Sequence, residues 1–100
     1  MRLTQTEMDR VLIFSVAEMA RRRRSRGIKL NHPESVALIC DELLEMARAG
    51  ARFEEVVAAG TSILGSDEVM DGVADLVEAV RLECVFDDGA RLVVVHRPIR

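Results

Sequence analysis

The sequence contains no tryptophan and no tyrosine, and aromatic residues make up only 3% of it: Phe14, Phe53 and Phe86. A stacking platform for nucleobases or sugars is therefore not expected, because such sites rest on aromatic faces. The core has to be built from Val, Leu, Ile, Ala and Met. Cysteine is scarce too. Cys40 and Cys84 are too few for a disulfide framework and read as small buried apolar residues in a reducing, cytoplasmic setting. Long apolar runs are missing: the stretch from Val11 to Ala20 is interrupted by Ser15 and Glu18, whereas a bilayer span needs about 20 apolar residues. No membrane partner is expected. The N-terminus leads directly into a helix start rather than a basic and then apolar segment, so no signal peptide is expected.

What is present is 100 residues, 49% hydrophobic and 31% charged, which is the size of one domain spanning 1–100. The net charge is −3, but it is unevenly placed. Residues 1–34 hold eight basic and four acidic side chains, for +4. Residues 35–100 hold six and thirteen, for −7.

Thr4-Gln5-Thr6-Glu7 is a capping box that starts a helix running to about Arg26, with Gly27 as its left-handed stop. Met8, Val11, Leu12, Val16 and Met19 form an apolar stripe at helical spacing. Ile13, Phe14 and Ala17 lie off that stripe. Because the helix is apolar nearly all round, a partner chain is expected to cover part of it. Asn31-His32-Pro33-Glu34 starts a second helix, with Val36, Ile39, Cys40, Leu43, Leu44 and Ala47 facing the core and Gly50 ending it. A third helix is expected over about Phe53 to Leu64, with Gly60 inside it, and a fourth from a Ser66 cap to about Asp71. The apolar period then changes to two over Val80, Leu82, Cys84 and Phe86. Asp87-Asp88-Gly89-Ala90 is a hairpin turn, and Leu92 to Val95 forms the return strand. The fold class is α+β: three to four helices followed by a C-terminal β-hairpin. An isolated hairpin is marginal in water, so it must pack on the helices or join strands of a neighbour.

No set of side chains assembles an active site. Arg21 to Arg24 with Arg26 suggests an acidic or nucleic-acid partner. However, four consecutive helical residues fan over about 300°, and arginine at a helix C-terminus complements the helix dipole. His32, Cys40, Cys84 and His96 lack the spacing of a zinc site. Asp67, Asp71 and Asp75 recur every four residues beside Glu68, without the EF-hand pattern. They and Glu54-Glu55 suit helix first turns. Met8, Met19, Met46 and Met70 read as core or interface fillers. Neither G-x-x-x-x-G-K nor G-x-S-x-G occurs. Catalytic, cofactor-binding and metal residues are all expected to be none.

The linear pattern is more specific. Met1-Arg2-Leu3-Thr4 with Glu7 is followed by Arg26-Gly27-Ile28-Lys29-Leu30-Asn31-His32-Pro33-Glu34-Ser35-Val36-Ala37-Leu38-Ile39. Then come Glu45, Ala47-Arg48, Gly50 and Val69-Met70-Asp71-Gly72-Val73. The pattern closes with Phe86, Asp88-Gly89, Leu92-Val93 and Val95-His96-Arg97-Pro98-Ile99. Together these blocks resemble the small gamma subunit of bacterial nickel urease. The resemblance implies an α+β chain that assembles with urease beta and alpha subunits, commonly as a trimer of heterotrimers. It also implies a dinickel centre, hydrolysing urea to ammonia and carbamate, that is held by the alpha subunit, with no nickel ligand on this chain.

Several positions depart from that family's pattern. Met46 and Arg52 stand where glycine and a capping threonine are usual, and the lost cap is worth about 1 kcal/mol. Ala49 replaces a common acid. Ala74 and Asp87 replace prolines, Cys84-Val85 replaces Ala-Thr, and Arg97 replaces a common asparagine. The alternative reading is a diverged paralog that binds protein or nucleic acid through the Arg-rich helix end, although nucleic acid is not the expected partner.

Overall fold

Both long helices are fixed at their starts by side chains three residues apart. The computed structural model describes residues 1–100, and its first helix, α1, spans Gln5–Ser25. The Glu7 backbone N–H donates to Thr4 Oγ1 at 3.1 Å and the Thr4 N–H to Glu7 Oε1 at 2.8 Å. The helix ends where Gly27 adopts φ 75°, which lets the Ile28 N–H reach back to the Arg23 carbonyl at 3.0 Å. Helix α2 spans His32–Arg48. Asn31 and Glu34 close the same box at 3.0 and 2.9 Å, and Pro33 sits in the first turn, where its missing N–H has no partner to lose.

Helix α3 is shorter than the apolar pattern suggests. It covers Phe53–Ala59 and ends at Gly60 rather than continuing to Leu64. A Cβ on Gly60 would lie 2.5 Å from Val95 Cγ2, so the residue that ends the helix is also where the hairpin meets the backbone. The irregular turn that follows delivers Leu64 to the core, 2% exposed. Arg52 makes no side-chain cap, but Glu55 accepts both its backbone N–H and its Nε–H at 3.1 Å. Half of a capping box therefore survives the loss of threonine.

The expected helix from Ser66 to Asp71 is replaced by a single 3-10 turn over Ser66–Glu68. It breaks because Val69 pairs with Leu30 in a parallel bridge: the Leu30 N–H donates to the Glu68 carbonyl at 3.0 Å and the Met70 N–H to the Leu30 carbonyl at 2.8 Å. The fourth helix, α4, starts later and covers Val73–Leu76 after Gly72 at φ 86°.

Strands β1 (Ala79–Phe86) and β2 (Gly89–His96) form one antiparallel pair, in register from Phe86↔Gly89 to Ala79↔His96. One face holds Val80, Cys84, Phe86, Val93 and Val95, all buried. It packs on α2 through β1 and on α3 through β2, so the hairpin is supported within the chain. The Phe53 and Phe86 rings meet edge to face at 5.7 Å, and the Arg91 guanidinium covers Phe53 at 3.9 Å. Two of the three aromatics thus join α3 to the hairpin. The architecture is α+β, four helices and then a C-terminal hairpin. Its centre is formed by Leu30, Leu38, Ile39, Leu43, Val56 and Val93.

Candidate functional site

The two sides of α1 are inverted relative to a simple amphipathic reading. The apolar stripe faces outward: Met8, Val11, Leu12 and Met19 are exposed, with Leu12 at 61%, and Val16 is half-buried. Phe14 beside them is exposed too. Only Ala17 and Ala20 are fully buried on α1, with Ile13 packed partly against the core. The inward side is therefore small side chains plus arginines. Small residues let α1 lie close to α2.

The arginines explain the inversion. Arg10 and Arg21 are three turns apart and share one side of α1, and between them lies Asp41 of α2, 2% exposed. Arg10 donates to Asp41 Oδ1 at 2.7 Å and to Glu45 Oε2 at 2.9 Å. Arg21 donates to the other Asp41 oxygen, to Glu42 at 3.1 Å and to Glu18 at 3.3 Å. Burial pushes the Asp41 carboxyl pKa up, but hydrogen bonds from Arg21 and Arg10 outweigh it and hold the group below its ordinary value. Burial likewise works against the charge on Arg21, and its bonds to Asp41 and Glu42 more than restore it. The pair is charged at any physiological pH.

The rest of the arginine run disperses in the same manner. Arg23 pairs with the buried Glu34. Arg24 donates to the Ile63 carbonyl at 3.0 Å and approaches Glu68 at 3.9 Å. Arg22 stays outside beside Glu18 at 3.8 Å, and Arg26 has no acidic partner within the chain. Arg21, Arg23 and Arg24 thus brace α1 against α2 and the segment after α3. Arg22, Arg23 and Arg26 stay exposed and line one surface concavity with Met19, so internal contacts take up only part of the run.

The other candidate ligands stay apart. Cys40 and Cys84 are free thiols in the core, and burial, with lesser help from the Cys84 and Asp41 neighbours, pushes the Cys40 thiol up to about 11. His32 and His96 are exposed, at the first residue of α2 and the last of β2. Asp67, Asp71 and Asp75 fall in the 3-10 turn, the loop before Gly72 and α4, rather than on one helix. No three His, Cys, Asp or Glu side chains are placed to hold a metal ion together, whereas a nickel centre needs several nitrogen and oxygen donors. No helix is long and apolar enough to cross a membrane. The candidate functional features are therefore surfaces: the outward stripe of α1 and the outer hairpin face, where Val85 and Leu92 are exposed.

A family model described as the urease gamma subunit matches residues 1–99. The chain belongs to the urease gamma subunit family. A protein of Streptomyces avermitilis described as urease subunit gamma/beta is 57% identical over 99 residues, covering 99% of this chain and 44% of that protein. The corresponding Streptomyces coelicolor protein is 54% identical over 99 residues, with the same coverage. The chain thus spans less than half the length of these curated relatives.

Within the gamma family pattern, the departures acquire locations. Met46 packs against this chain's own core. Asp87 is the first residue of the two-residue hairpin loop, and Gly89 takes the positive φ. Ala74 lies in the first turn of α4, where a proline would also fit. Arg97, in place of asparagine, adopts φ 45°, a left-handed conformation that asparagine tolerates better. The residue that sequence reasoning missed is Asp41. Its signal was an acid directly after Cys40 on α2's apolar face, with arginines in repeating positions on α1 to meet it.

Proposed function

We propose that this chain is a non-catalytic, structural subunit of a cytoplasmic urease. In this reading it forms one domain over 1–100 and supports a large alpha chain whose dinickel centre hydrolyses urea to ammonia and carbamate. The nickel and its ligands belong to that alpha chain, and this chain contributes none. Beta and alpha subunits are its partners, commonly as a trimer of heterotrimers. The observation that carries the reading is the gamma-subunit match over residues 1–99. It gains support from the two Streptomyces relatives, whose names pair gamma with beta in one protein, and from the large apolar side chains left exposed on the outer hairpin face. The engagement of Arg21, Arg23 and Arg24 within the chain weighs against the alternative, an Arg-rich module for nucleic acid or an acidic protein.

The test is co-expression with the large and beta chains, with and without this chain, followed by size exclusion and urea hydrolysis. Co-elution of all three, with activity lost when this chain is omitted, is the expected outcome. Active urease assembled without it, while the chain elutes alone, would overturn the reading.

A further inference from the structure

Helix α1 is fastened to the rest of the chain mainly by charge. Of the 18 buried residues that make up the core, Ala20 alone belongs to α1, and all the others lie between Leu30 and Ile99. Ala17 is the only other fully buried residue of this helix, and Ile13 and Val16 are half-buried. On α2, Glu34, Leu38, Asp41 and Glu45 are spaced by four, three and four residues and so share one side of the helix. Three of these are the carboxylates that pair with Arg23, Arg10 and Arg21 of α1, which leaves Leu38 as the large apolar residue among them. Ile39, Leu43 and Ala47, on the opposite side of α2, belong to the core. A buried ion pair returns little net stability, because desolvation offsets the attraction.

The covalent connection is short and exposed. Gly27 adopts φ 75°, and Ile28 and Lys29 are exposed. The next residue, Leu30, is fully buried and is fixed to the body without α1: its backbone pairs with Glu68 and Met70 at 3.0 and 2.8 Å. Beyond α2, the polar contacts of α1 are those of Arg24 with the Ile63 carbonyl at 3.0 Å and with Glu68 at 3.9 Å. We infer that α1 is a clasp that opens as one unit about residues 27–29 while residues 30–99 keep their fold, held shut chiefly by the ion pairs of Asp41 and Glu34. The opening is a property of this chain by itself and does not depend on the urease reading.

Native-state hydrogen exchange of the full chain, read amide by amide at neutral pH and low denaturant, tests the inference. Once detached, a helix of 21 residues is marginal in water, so its amides exchange when it leaves. The mid-helix amides from Ile13 to Ala20 should share one opening constant, at least about tenfold larger than that of the Ile39 to Leu43 and hairpin amides. Their opening should also depend less on denaturant, because it exposes less surface. Leu43→Ala should speed exchange of the α2 and hairpin amides about a hundredfold and leave the α1 amides unchanged, since Leu43 stays buried when the clasp opens. Asp41→Asn should speed α1 exchange about tenfold or more. It should speed the α2 and hairpin amides by the same factor, because complete unfolding includes the opening. A single opening constant for α1 and α2, a Leu43→Ala effect equal in both, or α1 exchange unmoved by Asp41→Asn would overturn the inference. None of these outcomes bears on co-elution with the large and beta chains.

Discussion

Helices α1 and α2 begin with the same device and end against glycine, yet they use their surfaces in opposite ways. Over 17 residues α2 buries eight, among them Leu38, Ile39 and Leu43. Over 21 residues α1 buries two, both alanine. Its large apolar residues point outward, while Arg10, Arg21, Arg23 and Arg24 turn toward the rest of the chain. The difference teaches that an apolar stripe identifies a helix face that prefers to be covered, but not what covers it. In α2 the cover is this chain's own hairpin and helices. In α1 the inward side is claimed by carboxylates on α2, because Asp41 and Glu34 are buried and each needs a cation.

The largest expected effect tests that contrast directly. Leu43→Ala, at a fully buried position, should cost about 3 kcal/mol, whereas Leu12→Ala on dilute chain should change stability by less than about 0.5 kcal/mol. Urea unfolding midpoints measure both, and equal losses would refute the inverted orientation of α1.

Next is the ion cluster between the helices. Asp41→Asn should cost about 2 kcal/mol at neutral pH, read by the same denaturation. The folded-state pKa of Asp41 lies below its ordinary value of 3.8. Its contribution is therefore fully present above the unfolded value and is lost as pH falls through the folded one. The gap between parent and Asp41→Asn should thus be constant from neutral pH down to about 5 and shrink below about 4.

A smaller effect separates the two helix starts. Asn31→Ala should cost about 1 kcal/mol. Thr4→Ala should cost about half as much, because the first two turns of α1 are exposed and can fray without uncovering the core; thermal melts of the two variants give the ratio. The smallest effect touches neither helix. Arg97→Asn should raise stability by about 0.5 kcal/mol by easing the positive φ, and a lowered melting temperature would mean that the Arg97 side chain contributes more than its backbone strain costs.

Much of the fold was legible in the residues because the signals are local. Thr4 with Glu7, and Asn31 with Glu34, name the starts of α1 and α2; Gly27 and Gly50 name their ends. The alternation from Val80 to Phe86 and the Asp-Gly turn give the hairpin and its inner face. The third and fourth helices were less legible because their limits depend on distant chain. Gly60 ends α3 beneath Val95, and Val69 is drawn into a bridge with Leu30. The candidate surfaces were half legible: the excess of apolar residues on α1 was plain, but its outward orientation was not.

The sequence by itself determined where the main helices begin and stop, where the chain reverses between the strands, and the family pattern that runs through it. These depend on groups within about four residues of one another, whose geometry the backbone fixes. Only the tertiary structure decided which side of α1 turns inward. That choice rests on Asp41 meeting Arg10 and Arg21 across 31 and 20 residues of chain. The desolvation of a buried carboxylate has to be matched there by cations, and no local periodicity records that requirement.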